Sequence, residues 1–356
     1  MNIDGKRIWQ QAAGDSDRDY SDLCIDWGVI LNGPGYAGPW PLCKEALNDD
    51  GCTSRKTSDL RRFSETMQDG DIVVLRVGTA RVRGVGLVVG PYEWHDEFGD
   101  VDGWELQHVR RVRWIWTSDR NSPRMFEAYD LKLGDTTQIL NDGRVKEWLK
   151  TLPIEEAILE RPLSELQSVK LTNDTGLTQI AEFLFDNGVA SASISTLLSE
   201  IGELIRIAKW YKRANVQPSE HETVTYLVAP LLRALGWTPQ RMGVEWNHVD
   251  IALFERLPRT NESLRAVVEA KKMNKSCLNA ISQAEAYSRE KPACHRLIVT
   301  DGLRYGVHVR STDKEPFRLY AYLNLTRLRQ DYPMYRCKGA QEALLAMAPE
   351  WRLEGG

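Results

Sequence analysis

Glu269-Ala270-Lys271 closes the apolar run Ala266-Val267-Val268. Period-two alternation along a strand sends Glu269 and Lys271 to one face and Ala270 to the other, so a carboxylate and an ammonium are presented together. Asp250 lies in the β-branched stretch His248-Val249-Asp250-Ile251-Ala252-Leu253, and a hairpin through Arg256-Leu257-Pro258-Arg259-Thr260-Asn261 brings it alongside Glu269. Two hard oxygen ligands beside one lysine suit Mg²⁺, with Mn²⁺ as a substitute. The chemistry of such a set is phosphodiester hydrolysis: the metal polarises the phosphate and lowers the pKa of a bound water, while the lysine orients that water and stabilises developing charge. The plain alternative is a cross-strand ion pair on a surface strand, the common fate of an acidic residue two before a lysine.

The flanking segments favour the chemical reading. Upstream lies Pro218-Ser219-Glu220-His221-Glu222-Thr223-Val224, leading to Pro230-Leu231-Leu232-Arg233-Ala234-Leu235-Gly236-Trp237; downstream come Gln283-Ala284-Glu285-Ala286-Tyr287 and Leu297-Ile298-Val299-Thr300-Asp301-Gly302. In that order, over about residues 218–310, these pieces resemble the PD-(D/E)XK nuclease superfamily, in particular the N-terminal nuclease domain of type I restriction enzyme R subunits. The resemblance implies Asp250 and Glu269 as metal ligands and Lys271 as the group that positions the nucleophilic water. It adds a helper carboxylate for the metal on the first helix, Glu220, with Glu222 the near alternative. Gln283 and Tyr287 match a Q-x-x-x-Y element whose four-residue spacing stacks both side chains on one helical face toward the site. An ordinary half-buried helix face is the bland reading of that pair. The connection between Asp250 and Glu269 is long for the pattern, so the hairpin is inferred.

With 356 residues the chain has room for two or three domains, and 42% hydrophobic residues suffice for real cores. A net charge of −4 speaks against a uniformly basic coat but leaves local basic patches open. No apolar stretch has the length of a membrane span, and the N-terminus leads into no signal-peptide core, so a cytoplasmic location and no membrane partner are expected. Cys24, Cys43, Cys52, Cys277, Cys294 and Cys337 show no paired C-x-x-C spacing, and reduced thiols follow. A zinc site built from Cys43, Cys52 and His95 or His108 has no ligand spacing to support it.

Three zones organise the chain. Residues 1–125 hold short β-prone runs, including 70–77, 80–92 and 104–116, closely spaced as in a small barrel. The Gly-Asp-x-Val-Val, Gly-x-Gly-x-Val-x-Gly-x-Tyr and Val-x-Trp series resembles PUA-like domains of the EVE and YTH type, whose prokaryotic relatives fused to nucleases read modified bases in DNA. A flipped base needs flat π-surfaces, and this zone carries seven of the chain's 12 tryptophans. Trp27, Tyr36 and Trp40 flank a Gly/Pro loop and Trp94 and Trp104 flank a polar one, which makes these five the candidate walls of a base cage. Trp114 and Trp116 share a strand face with Val112 and are expected in the core. Arg81 with Arg83, and Arg111 with Arg113, project pairwise as a phosphate track, or else as solvated strand faces. Gly84-Val85-Gly86-Leu87-Val88-Val89-Gly90 is no dinucleotide fingerprint, because Pro91 and no helix follows it.

Residues 126–213 read as a helical linker. Ile194, Leu197, Leu198, Ile201, Leu204, Ile205 and Ala208 form one apolar stripe, ending in the basic and aromatic Lys209-Trp210-Tyr211-Lys212-Arg213. That end reads first as packing with favourable cations at a helix C-terminus, and second as a DNA contact. Residues 214–356 carry the nuclease, expected as a restriction-endonuclease-like mixed sheet with flanking helices, so that the whole is an α+β or α/β multidomain protein. The expected activity is Mg²⁺-dependent cleavage of double-stranded DNA carrying a modified base, in a type IV restriction-like role, by a homodimer on DNA because one such site cuts one strand. Two rivals stand beside it: a nuclease gated by a small nucleotide or modified RNA, and a non-catalytic nucleic-acid-binding protein.

Overall fold

β-Branched and glycine-punctuated runs form strands in both halves of the chain, and a computed structural model describes all residues except 2, 16, 50–53, 154–161, 164, 167–173, 290 and 354–356. The chain divides into two units, Met1–Val169 and Lys170–Gly356.

In the first unit the strands are β1 (Ile8–Ala12), β2 (Val29–Asn32), β3 (Ile72–Val77), β4 (Arg81–Trp94), β5 (His108–Thr117), β6 (Arg124–Met125) and β7 (Thr137–Ile139). They form one sheet in the order β2-β5-β4-β3-β1-β7, with β6 paired to β4, curled into a half-barrel. Only β1 and β3 run parallel. Register shifts at Val85/Gly86 and Val89/Tyr92 bend β4 against β5. Gly86 is required there: a Cβ would stand 2.5 Å from the Val112 side chain and 2.9 Å from the Trp114 indole. The glycine-rich run is thus strand backbone closely approached by an indole, and Trp114 and Trp116 lie half-buried, Trp116 edge-on to Trp148.

Side chains close the seam of this curl. Fully buried Gln11 on β1 donates to the Leu31 carbonyl of β2 (2.8 Å) and accepts from the Thr137 hydroxyl of β7 (2.8 Å), and Asn32 on β2 donates to the same hydroxyl (3.2 Å). Asp59, on the helix Ser54–Arg61, accepts the backbone N–H groups of Thr136 and Thr137. Buried polar groups of this kind cost free energy unless paired, and here each is paired.

In the second unit β8 (Met242–Trp246), β9 (Val249–Phe254), β10 (Leu264–Ala270), β11 (Arg296–Thr300), β12 (Arg304–Val309), β13 (Arg318–Asn324), β14 (Asp331–Tyr332) and β15 (Cys337–Lys338) form a mixed sheet, ordered β14-β15-β13-β12-β11-β10-β9-β8. The helix Ile281–Ser288 is the crossover between parallel β10 and β11, and it covers the face carrying Val267, Leu297 and Val299. On the other face Ala266, Val268 and Ala270 pack against the helices Leu177–Asp186, Ser191–Arg213 and Ala340–Met347 and the helical stretch 220–234. The stripe from Ile194 to Ala208 therefore belongs to the second unit's core, and Tyr211 is buried with it while Trp210 is 53% exposed. The helix Arg144–Thr151 packs in the first unit instead.

Gly302 joins the 220–234 stretch to the sheet. It sits at φ +88°, and a Cβ would stand 2.7 Å from the Leu227 Cβ and 3.0 Å from the Thr223 methyl. Gly302→Ala should lower unfolding stability by about 2–4 kcal/mol through backbone strain and overpacking, measured by denaturant titration; an unchanged midpoint would show that the helix is not seated on this turn.

Candidate active site

The hairpin inferred from sequence is present. β9 and β10 run antiparallel with Val268 opposite Ile251, which sets Asp250 beside Glu269, and the Asp250 carboxylate accepts the Ala270 N–H at 2.7 Å. Glu269 is 1% exposed, on the face opposite Ala266 and Val268. Its Oε1 accepts from Lys271 Nζ at 2.8 Å, so the alternation did place the carboxylate and the ammonium together. Lys271 Nζ also donates to Gln283 Oε1 (3.0 Å), and Gln283 Nε2 donates to the Tyr287 hydroxyl (3.2 Å), both on the crossover helix. Asp250, Glu269, Lys271, Gln283 and Tyr287 thus form one continuous cluster at the end of β10.

The helix start separates Glu220 from Glu222. Glu222 accepts the Ser219 N–H at 2.8 Å while its own N–H donates to the Ser219 hydroxyl at 3.1 Å, a closed capping box. Glu220 takes no part in that box, and its charge acts on both Glu269 and Lys271. The Ser219-x-x-Glu222 spacing is itself a helix-start signal and could have assigned the two roles from sequence.

Burial drives the Glu269 carboxyl up to about 7, reinforced by the charges of Asp250 and Glu220 and opposed by Lys271. Burial alone would lower the Lys271 ammonium; its hydrogen bond to Glu269 and the charges of Glu220 and Asp250 outweigh that and hold it above the ordinary lysine value. Lys271 is therefore a cation at neutral pH rather than a proton acceptor.

Several positioning groups carry no motif. The Thr223 hydroxyl accepts the Met273 N–H (3.3 Å) and donates to the Ser219 carbonyl (2.9 Å), while Gln217 Nε2 donates to the Met273 carbonyl (2.5 Å). Asp301, fully buried, accepts the Asn274 N–H at 2.9 Å. The Thr223 and Gln217 bonds tie the helix that carries Glu220 to the segment just past Lys271, and Asp301 ties that segment to the β11–β12 turn. Lys272 and Lys275 are exposed on that segment. The basic spacing of Lys271, Lys272 and Lys275 is the sequence signal that could have found them.

Among the described residues no three His, Cys, Asp or Glu side chains are grouped tightly enough to cage a metal ion. The donor set nevertheless suits Mg²⁺, which is commonly held by one or two carboxylates, with waters and substrate phosphate completing its shell. Glu269 Oε2 is buried with no hydrogen-bond partner, and a cation would meet both that orphaned oxygen and the repulsion among Glu269, Asp250 and Glu220.

In the first unit the candidate cage residues fall into separate groups. Trp40 is 8% exposed, its indole N–H donating to Glu65 (2.8 Å) under the Lys44 ammonium, so it is a packed residue and not an open wall. Its backbone N–H donates to the Tyr92 hydroxyl, which bonds His108 Nδ1 at 3.0 Å, and Trp94 meets His108 edge-on at 5.1 Å. Trp104 lies elsewhere, against Tyr20 and beneath Arg18. Trp27 ends the helix Ser21–Trp27 and is half-buried; Tyr36, at 52% exposure, is the most open of the five. Arg83 does not stand beside Arg81 on an open face. It is 3% exposed, donates to the Ser118 carbonyl and pairs with Asp22, a burial that depends on a helix remote in sequence. Arg81, Arg111 and Arg113 are half-buried. The zinc arrangement also fails at His108: Nε2 must carry the proton to donate to the Pro34 carbonyl (3.1 Å), Nδ1 accepts from Tyr92, and burial pushes the imidazole down to about 4. Cys52 lies outside the described residues.

The Glu269 carboxyl stands above its ordinary 4.5, so without metal the folded state holds a proton that the unfolded chain has released between pH 4.5 and about 7. Stability from this group is present below pH 4.5 and lost as pH rises through 7. In chelator, wild-type stability should fall across that window and Glu269→Gln should remove the fall. Parallel pH profiles in denaturant titrations would contradict the burial of this charge.

A family model described as "Domain of unknown function (DUF8426)" matches residues 10–136, within the first unit. No curated protein and no solved structure matches the chain.

Proposed function

We propose that this protein is a metal-dependent DNA endonuclease of the PD-(D/E)XK type that acts on DNA carrying a modified base, in a type IV restriction-like role in the cytoplasm. The observation that carries the reading is the hydrogen-bonded line Glu269–Lys271–Gln283–Tyr287 with Asp250 anchored on the same strand end and Glu220 within electrostatic reach. Asp250, Glu269 and Glu220 are the groups that would hold Mg²⁺, or Mn²⁺ in its place. Bound there, the ion supplies charge to polarise a phosphate and to acidify a water.

The protein's own groups do the rest. Lys271, kept ionised by its carboxylate neighbours, donates hydrogen bonds toward the attacking water and the phosphate oxygens, where they strengthen as charge develops. Gln283 holds the ammonium against drift, and Tyr287 holds Gln283. The exposed Lys272 and Lys275 offer phosphate contacts that place the strand without reading sequence.

The half-barrel is assigned as a PUA-like reader of the EVE/YTH kind, with Tyr36 the open ring for stacking and Arg81, Arg111 and Arg113 as phosphate contacts. Because one such site hydrolyses one strand, the cutting form is a homodimer on duplex DNA.

Digestion of matched duplexes containing cytosine, 5-methylcytosine, 5-hydroxymethylcytosine, glucosylated cytosine and N6-methyladenine tests the reading. Cleavage should require Mg²⁺ and one modification, Ca²⁺ should support binding without cutting, and Lys271→Ala should slow cleavage by about 10²-fold or more with DNA affinity kept. Wild-type rates in Lys271→Ala would remove the assignment. Cutting of unmodified DNA only after a nucleotide or modified RNA is added would transfer the first unit to ligand sensing.

A further inference from the structure

A cleft lies at the other end of the 220–234 helical stretch from Glu220. It holds about 770 Å³ and opens between the loop before the helix Ser191–Arg213 and the helix Ala340–Met347. Phe183, Leu235, Tyr320, Leu345 and Trp351 give it apolar and aromatic walls, with Tyr320 and Trp351 in ring contact at 5.4 Å. Its volume is that of a small-molecule pocket, and its lining is mixed, with Asn187, Ser193, Glu342, Glu350 and Arg352 beside the rings. Of these, Glu342 stands in the first turn of its helix. Its Oε2 is shut from solvent with no hydrogen-bond partner, and among the described residues no lysine or arginine pairs with its carboxylate. Arg352, which also lines the cleft, is committed to Glu255 at 2.6 Å. A buried carboxylate oxygen left without a donor is costly, and the N–H groups of a ligand would supply one.

We infer that this cleft binds a small organic ammonium ion, its apolar body against Phe183, Leu345 and Trp351 and its N–H donors on Glu342. The site is separate from the carboxylate cluster of β10 and does not depend on the nuclease reading.

The test is calorimetric titration of the full chain with phenethylamine, as its ammonium ion, and with the neutral isostere 2-phenylethanol, at neutral pH. The ammonium should bind at least tenfold more tightly than the alcohol. Glu342→Gln should abolish that preference, and Ser193→Trp, which fills the cleft from its rim, should abolish binding of both; circular dichroism of each variant should match wild type. Equal affinity for amine and alcohol, an unaltered affinity in Glu342→Gln, or no binding of the amine at millimolar concentration would each overturn the inference. Should Glu342→Gln fail to fold, the amine-to-alcohol ratio in wild type and the Ser193→Trp result decide it alone.

Discussion

A carboxylate placed at the end of an apolar strand, 1% exposed and beside two further carboxylates, is held only at an electrostatic cost. Glu269 occupies that position. Lys271 offsets part of the cost with a 2.8 Å hydrogen bond, and much of the second unit's architecture bears on this pair. The β9–β10 hairpin brings Asp250 to the Ala270 N–H, the β10–β11 crossover supplies Gln283 and Tyr287, the Thr223–Met273 bond fixes the helix start that carries Glu220, and the Asp301–Asn274 bond holds the segment past Lys271 to the β11–β12 turn. Removing the ammonium would leave a buried carboxylate facing its own kind; adding a divalent cation would relieve all three. A buried carboxyl shifted by burial and by neighbouring charges is the feature on which the proposed site rests.

The first unit is organised by a different constraint. Its sheet curls until the two ends of the strand order, β2 and β7, come within side-chain reach, and Gln11, Asn32 and Thr137 bridge the gap by hydrogen bonds instead of a backbone ladder. Such a seam tolerates no unpaired member, because each group is fully buried. His108, Tyr92 and Trp40 extend the same logic to the rim, where every polar atom of the imidazole is spent on structure. What remains open for a ligand in this unit is correspondingly narrow, with Tyr36 on the exposed loop as its clearest surface ring.

The carboxylate–lysine cluster was legible because its signals are local: strand alternation sets Glu269 with Lys271, and four-residue spacing sets Gln283 with Tyr287. The mixed sheet and the half-barrel were readable at the level of strand content and glycine punctuation. What stayed hidden depended on partners far along the chain. Two-residue spacing put Arg83 on an open face, yet Asp22 and the Ser118 carbonyl turn it inward. Trp40 looked like a loop aromatic until Glu65 and Tyr92 closed over it. The stripe of the helix Ser191–Arg213 was visible, but only packing against Val224, Leu227 and Leu231 joins it to the second core.

Proton release on metal binding measures directly whether Glu269 is a cation-seeking carboxyl that holds a proton near neutrality. Calorimetric titration of Mn²⁺ into the protein, repeated in buffers of different ionisation enthalpy, should show about one proton released per ion at pH 6, falling toward none at pH 8, because the carboxyl titrates at about 7. Glu269→Gln should bind the ion weakly and release no proton. Metal binding whose proton count is the same at both pH values, or no binding at all, would contradict the claim.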